Sequence, residues 1–229
     1  MTAGDEGAGM KRHYGEQLSH LKDTVLRMGG LVEQMTHRVI QALVERKTGM
    51  LADVRAAEVQ VNQLHIDIDE ICLEIIALRQ PAATDLRFIA AAMKINTDME
   101  RIGDQAVNIV ERAESLLAVP PLKPLIDIPR MAEIAKGMLK DALDAFVNGD
   151  DALALGTIKR DDEVDQLKDQ VFRELLTYMM ADPATIPRAM DLILVSRHLE
   201  RIADHATNIC EDVIFMVQGK DVRHQGPLA

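Results

Sequence analysis

The chain has 229 residues, 48% of them hydrophobic but only 3% aromatic and none Trp, so its core must be aliphatic, and 13 Met suit helix packing. A formal net charge of −11, from 37 acidic against 26 basic residues, argues against nucleic acid as the main partner and fits cation sites or basic partners. The two cysteines, Cys72 and Cys210, form no CxxC or zinc spacing and read as packing residues of a reducing compartment, and no run of 18 apolar residues spans a membrane. Residues 1–13 lack a basic n-region and an apolar h-region, and are expected to be a flexible tail rather than a signal peptide. A first helix is expected from about Tyr14 to Arg46, with Leu18, Leu21, Val25, Met28, Val32, Met35 and Val39 at helical spacing, weakened or bent at Gly29-Gly30. A second runs to about Arg79 with Val54, Val61, Leu64, Ile68, Ile71 and Ile75 on one face, and Gln80-Pro81 stops it. Thr84 or Asp85 caps a third helix to about Leu117. The proline cluster Pro120, Pro121 and Pro124 then marks a linker at 119–128. A fourth helix starts near Pro129 and ends at Asn148-Gly149. Asp150 or Asp151 caps a fifth to about Ala181, and Asp182-Pro183 breaks it. A sixth helix runs from about Thr185 to Gln218, with Gly219 as its stop and a short tail at 219–229. No segment alternates as a strand does, so the expected class is all-α: tandem three-helix bundles at 14–118 and 129–218.

The halves also repeat in sequence. Met99 to Glu111 and Leu199 to Glu211 share eight identical positions, including Glu-Arg-Ile, Asp, Ala, Asn, Ile and Glu. The second and fifth helices align too, Glu58-x-x-Val61-Asn62-Gln63-Leu64 against Asp161-x-x-Val164-Asp165-Gln166-Leu167. With Glu100 set at zero on a helical wheel, Asp104, Asn108 and Glu111 fall at about 40°, 80° and 20°, while Ile95, Met99, Ile102, Ala106, Ile109 and Ala113 fall at roughly 180–260°. Glu200, Asp204, Asn208 and Glu211 repeat this, and Glu58, Asn62, His65 and Asp69, and Asp161, Asp165 and Asp169, form matching stripes. Packing constrains the inner face and not the outer one, so a duplicated outer pattern points to use. Like charges at i,i+4 cost a few tenths of a kcal/mol per pair, which a bound cation turns into coordination, and carboxylate and amide oxygens suit hard cations. The competing readings are a solvated acidic surface paired with Arg101 and Arg201, and an Arg contact to a partner or phosphate. His65 reads as a surface histidine, and His198 and His205 lie off the Glu200 stripe. No phosphate-binding Gly-rich loop, nucleophile elbow or His-Glu-x-x-His is present, so no catalytic constellation is expected.

Met28-Gly29-Gly30, Leu78-Arg79-Gln80-Pro81-Ala82-Ala83-Thr84-Asp85-Leu86-Arg87, Glu100-Arg101-Ile102-Gly103-Asp104, Leu176-Thr177-Tyr178-Met179-Met180 and Glu200-Arg201-Ile202-Ala203-Asp204, in this order and spacing, resemble the PhoU family over nearly the whole chain. The resemblance implies two three-helix repeats related by pseudo-twofold symmetry in a cytoplasmic, often dimeric, non-enzymatic protein. It implies a negative regulator of the phosphate-starvation regulon that restrains phosphate uptake. Its implied partners are a sensor histidine kinase and the ATPase subunit of the phosphate ABC transporter, with only peripheral association with membrane complexes. It further implies metal ions (Mn, Mg, Fe or Zn), single or in multinuclear clusters, on Glu/Asp-x-x-x-Asp motifs. These map onto Glu100 and Asp104, Glu200 and Asp204, and Asp161 and Asp165, with Asn108 and Asn208 one turn further along the two long stripes. The first-repeat counterpart is Glu58 with Asn62, whose uncharged amide implies sites that differ in affinity or nuclearity. A metal-dependent helical redox protein and a purely structural adaptor are the alternative functions.

Overall fold

A computed structural model describes residues 3–222, with side chains from Tyr14 onward. The outermost parts of both expected tails, 1–2 and 223–229, lie outside the described residues. Every regular element among the described residues is helical: α1 Ala3–Glu45, α2 Gly49–Arg79, α3 Ala83–Leu117, α4 Asp127–Asn148, α5 Asp151–Ile158, α6 Asp161–Ala181 and α7 Ile186–Gln218, with a 3₁₀ turn at Pro183–Thr185 before α7. The first bundle is α1–α3. The second is α4, the α5–α6 arm and α7. The third helices, α3 and α7, pack against each other along their length, and α1 also meets α4, so the two bundles share one apolar core. That core is aliphatic as expected: Met28, Met35, Ile68, Ile95, Met99, Ile102, Ile109 and Met131 are all fully buried.

Local chemistry accounts for most boundaries. Gly149 takes the left-handed conformation at φ 64° beyond α4, and Gly219 does so at φ 70° beyond α7. The Asp150 Oδ1 accepts from the Leu153 N–H at 2.9 Å and caps α5, worth about 1 kcal/mol. Four expectations need correction. The first helix starts at Ala3 rather than near Tyr14, so residues 3–13, expected as a tail, are the first turns of α1. Gly29-Gly30 does not interrupt α1, because Gly29 serves packing: a Cβ there would lie 2.2 Å from Leu143 Cδ1 on α4, whereas one on Gly30 would meet nothing within 4 Å. Neither Thr84 nor Asp85 caps α3, which starts after Ala82 without a side-chain cap. Asp85 instead accepts a hydrogen bond from the Tyr14 hydroxyl at 2.8 Å, tying α3 to α1. The expected fifth helix is divided at Lys159-Arg160, where Arg160 N bonds Thr157 O at 3.0 Å in a tightened turn. Arg160 holds that turn, pairing with Asp141 of α4 at 2.6 Å and lying over Gly137.

These contacts give a paired prediction. Gly29→Ala is expected to destabilise the chain by about 1–3 kcal/mol through overpacking against Leu143, whereas Gly30→Ala is expected to stabilise it by about 0.5–1 kcal/mol. Urea denaturation of the two variants checks this, and equal effects would contradict it.

Candidate functional site

The acidic stripes lie on helices whose inner faces are locked into the core, so their outer faces are held in register. In the second repeat, α6 packs on α7 and brings Asp161 and Asp165 to Glu200 and Asp204. The carboxylates feel one another. Partial burial, then Asp204, Asp165, Glu200 and Asp162, pushes Asp161 up to about 6. Partial desolvation with Glu200 and Asp165 also raises Asp204. The sequence stripes omit the residue at the centre of this cluster. The Lys168 ammonium donates to Asp165 Oδ1 at 2.7 Å and to Glu200 Oε1 at 3.0 Å, bridging α6 to α7. Those bonds, Asp165 first, hold its pKa above the usual lysine value.

The stability consequence has a definite sign. The folded chain holds the Asp161 proton more tightly than the unfolded chain, whose aspartate titrates near 3.8. The stabilisation is therefore complete below that value and is lost as pH rises through about 6. Asp161→Asn is expected to raise stability at pH 7 by about 1 kcal/mol, allowing for solvent screening at this half-exposed site, and to give no gain at pH 4. Thermal melts in EDTA at the two pH values check it; a gain of the same size at pH 4 would contradict it.

In the first repeat the stripe residues are half-buried (Glu58, Glu100, Asn108) or exposed (Asn62, Asp104). Beside them, the Asn96 amide donates to the His65 carbonyl at 2.9 Å and to Asp69 Oδ1 at 3.0 Å, joining α3 to α2. His65 Nε2 lies 3.9 Å from Asp69 on its own helix. The oxygen donors of both repeats have the chemistry a hard cation requires. Their disposition does not fit one as it stands: among the described residues no group of three or more His, Cys, Asp or Glu is arranged to hold a metal ion, and Lys168 already takes the centre of the second-repeat cluster. Cys72 and Cys210 are fully buried, and burial pushes both thiols up to about 12.

Asn208 belongs elsewhere. Its amide donates to Asp98 Oδ1 at 3.3 Å, placing it on the α3–α7 seam rather than among the α6–α7 carboxylates. That seam is a polar strip the sequence stripes do not contain. His205 Nδ1 donates to Asp98 Oδ1 at 2.8 Å, and His198 Nδ1 to Gln105 Oε1 at 2.9 Å. Asp98 aligns with His198 between the repeats, and Gln105 with His205, so the two bonds are pseudo-twofold copies of each other. Lys94 pairs with the buried Asp212 at 2.9 Å near one end of the seam, and Arg112 with Asp191 at 3.5 Å near the other. Burial, with Arg201, Arg112 and Arg197 nearby, holds His198 below the ordinary imidazole value, so it is a neutral donor at pH 7. The aligned offsets of these polar residues were the available sequence signal. A separate apolar hollow of about 440 Å³ lies beneath the proline linker, lined in part by Leu43, Leu116, Leu122 and Leu192, away from both stripes.

The PhoU domain matches the chain twice, at residues 25–113 and 128–213. The phosphate-specific transport system accessory protein PhoU homolog of Caulobacter vibrioides is 43% identical over 217 residues, covering 94% of both chains. The crystal structure of PhoU from Pseudomonas aeruginosa superposes with a TM-score of 0.86 at 39% identity, covering 90% of this chain and 100% of that one. The phosphate transport system regulatory protein PhoU from Streptococcus pneumoniae gives a TM-score of 0.83 at 27% identity, covering 91% and 99%. With two domain matches on its two three-helix repeats and near-full-length likeness in sequence and fold, the chain belongs to the PhoU family.

Proposed function

We propose that this chain is a cytoplasmic, non-enzymatic regulator of phosphate homeostasis, an accessory to a phosphate ABC transporter that reports phosphate sufficiency to a sensor histidine kinase and keeps the phosphate-starvation regulon off. PhoU is a family of regulatory accessory proteins rather than of enzymes. No helix among the described residues is long and apolar enough to cross a membrane, so contact with membrane complexes is peripheral in this reading. The observation that carries it is the duplicated outer face of the α3 and α7 pair, on a chain that covers 94% of an accessory protein of phosphate-specific transport.

Mechanistically, the shared core fixes α3 and α7 while the acidic faces stay available for docking. A regulator that binds one state of the transporter ATPase or of the kinase better than the other shifts that partner by the difference in affinity. The chain acts as a homodimer in this reading. In this reading the first-repeat face draws its oxygen donors together around Mn, Mg, Fe or Zn, while Lys168 bridges the second face. The structural-adaptor alternative gains from that same lysine, since a face balanced by the chain's own cation needs no metal. The test is co-purification of the ATPase subunit and of the kinase's cytoplasmic part with wild type and with the Glu100/Asp104/Glu200/Asp204 quadruple alanine variant. Binding by wild type and at least tenfold loss in the variant supports the reading; equal capture of both partners overturns the role of the acidic faces.

A further inference from the structure

The two acidic faces are related by the repeat, yet they differ at one position. Aligning Glu58-x-x-Val61-Asn62-Gln63-Leu64 with Asp161-x-x-Val164-Asp165-Gln166-Leu167 puts His65 where the second repeat has Lys168. Lys168 bridges the two helices of its face, at 2.7 Å to Asp165 and 3.0 Å to Glu200. Both the lysine and Glu200 are largely covered, with side chains 28% and 21% exposed, so water screens this bridge less than a free surface pair. Among the described residues, the first-repeat face has no such lysine bridge. Helix α2 contains no lysine, and His65 turns to Asp69 on its own helix.

We propose that Lys168 is the built-in counter-ion of the second acidic face and a specificity determinant: it excludes divalent cations there and makes the two repeats unequal in cation binding. The physical basis is competition. The ammonium makes charge-assisted bonds to two of the four carboxylates a divalent ion would recruit, and it is tethered beside them. A tethered group faces its site at an effective concentration of the order of millimolar or above, so an ion from solution must displace it at every encounter. A neutral residue at 168 removes the competitor and leaves Asp161, Asp165, Glu200 and Asp204 as a hard-oxygen set. An arginine keeps the charge and the block. This inference rests on the cation-binding reading of the acidic faces given above.

The experiment titrates Mn²⁺ into the full chain, followed by the loss of the free-ion electron paramagnetic resonance signal. A Glu100→Gln/Asp104→Asn background silences the first repeat. In that background Lys168→Met is expected to tighten Mn²⁺ binding at least tenfold, Lys168→Arg to leave it unchanged, and Asp204→Asn added to Lys168→Met to abolish the gain. Circular dichroism checks folding, and Lys168→Gln carries the same test should Lys168→Met fail to fold. If the background binds Mn²⁺ and Lys168→Met binds it no more tightly, Lys168 does not compete and the inference is overturned while cation binding stands. If neither wild type nor any variant binds Mn²⁺ at millimolar concentration, the cation-binding reading and the inference fall together.

Discussion

Phe146→Ala is expected to lower the free energy of unfolding by about 3–5 kcal/mol. The chain has only four Phe and no Trp, and Phe146 is 1% exposed in α4. Its ring stacks on Phe88 of α3 with centroids 5.0 Å apart and planes 10° from parallel. The Lys22 ammonium of α1 lies 5.2 Å from the Phe88 centroid, so this cluster ties the first bundle to the second. The neighbours are rigid helices that cannot close over the void, which puts the loss at the upper end of the core-truncation range. Phe146→Leu keeps most of the volume and is expected to cost about 1–1.5 kcal/mol. Urea denaturation monitored by circular dichroism reads both. Because the two bundles share one core, wild type is expected to unfold in a single transition. A loss below about 1 kcal/mol for Phe146→Ala, or separate transitions for the two repeats, would contradict the shared core.

The second large effect lies in the polar seam. Asp98 is 8% exposed and is the common acceptor for His205 at 2.8 Å and Asn208 at 3.3 Å. Asp98→Ala leaves both donors without that partner where water reaches them poorly, and a buried donor left unmade costs about 1–3 kcal/mol. The expected loss is about 2–4 kcal/mol, larger than for an ordinary surface aspartate. Asp98→Asn keeps an acceptor oxygen and is expected to lose less than half as much. Denaturant midpoints at pH 7 separate the two. A loss for Asp98→Ala within about 0.5 kcal/mol of zero, as at a surface position, would show that the seam does not hold the repeats together.

Much of the architecture was legible in the sequence, for reasons specific residues make plain. Left-handed glycines at Gly149 and Gly219, the aspartate cap at Asp150 and the apolar spacing from Leu21 to Val39 are local signals, and local signals are what a single sequence carries. The misreadings within the expected bundles all involve a partner distant in the chain. Gly29 reads locally as a helix breaker, yet it is small because Leu143, more than a hundred residues away, needs the space. Asp85 reads as a cap, yet its proton donor is Tyr14 on another helix. Arg160 looks like one more helical residue, and only its pairing with Asp141 reveals the turn that divides α5 from α6.

The candidate site shows the same division. The wheel correctly put Glu100, Asp104, Glu200 and Asp204 opposite the apolar stripe, because helical periodicity is local. It could not show that Lys168, a turn away on α6, reaches across to Glu200, nor that Asn208 turns to Asp98 on α3 instead. Those contacts depend on the crossing of one helix over another. Aligning the repeats beyond their identical positions brings them closer to view, since His65 against Lys168 and Asp98 against His198 are among the substitutions that distinguish the halves.

The most direct test of regulation is a chromosomal deletion carrying a phosphate-starvation reporter, grown in phosphate-rich medium and complemented with wild type or with the Glu100/Asp104/Glu200/Asp204 quadruple alanine variant. Deletion is expected to switch the reporter on, wild type to silence it again, and the variant, folded and expressed to the same level, to leave it on. A reporter that stays silent in the deletion strain would contradict the regulatory role, and full silencing by the variant would contradict the part assigned to the acidic faces.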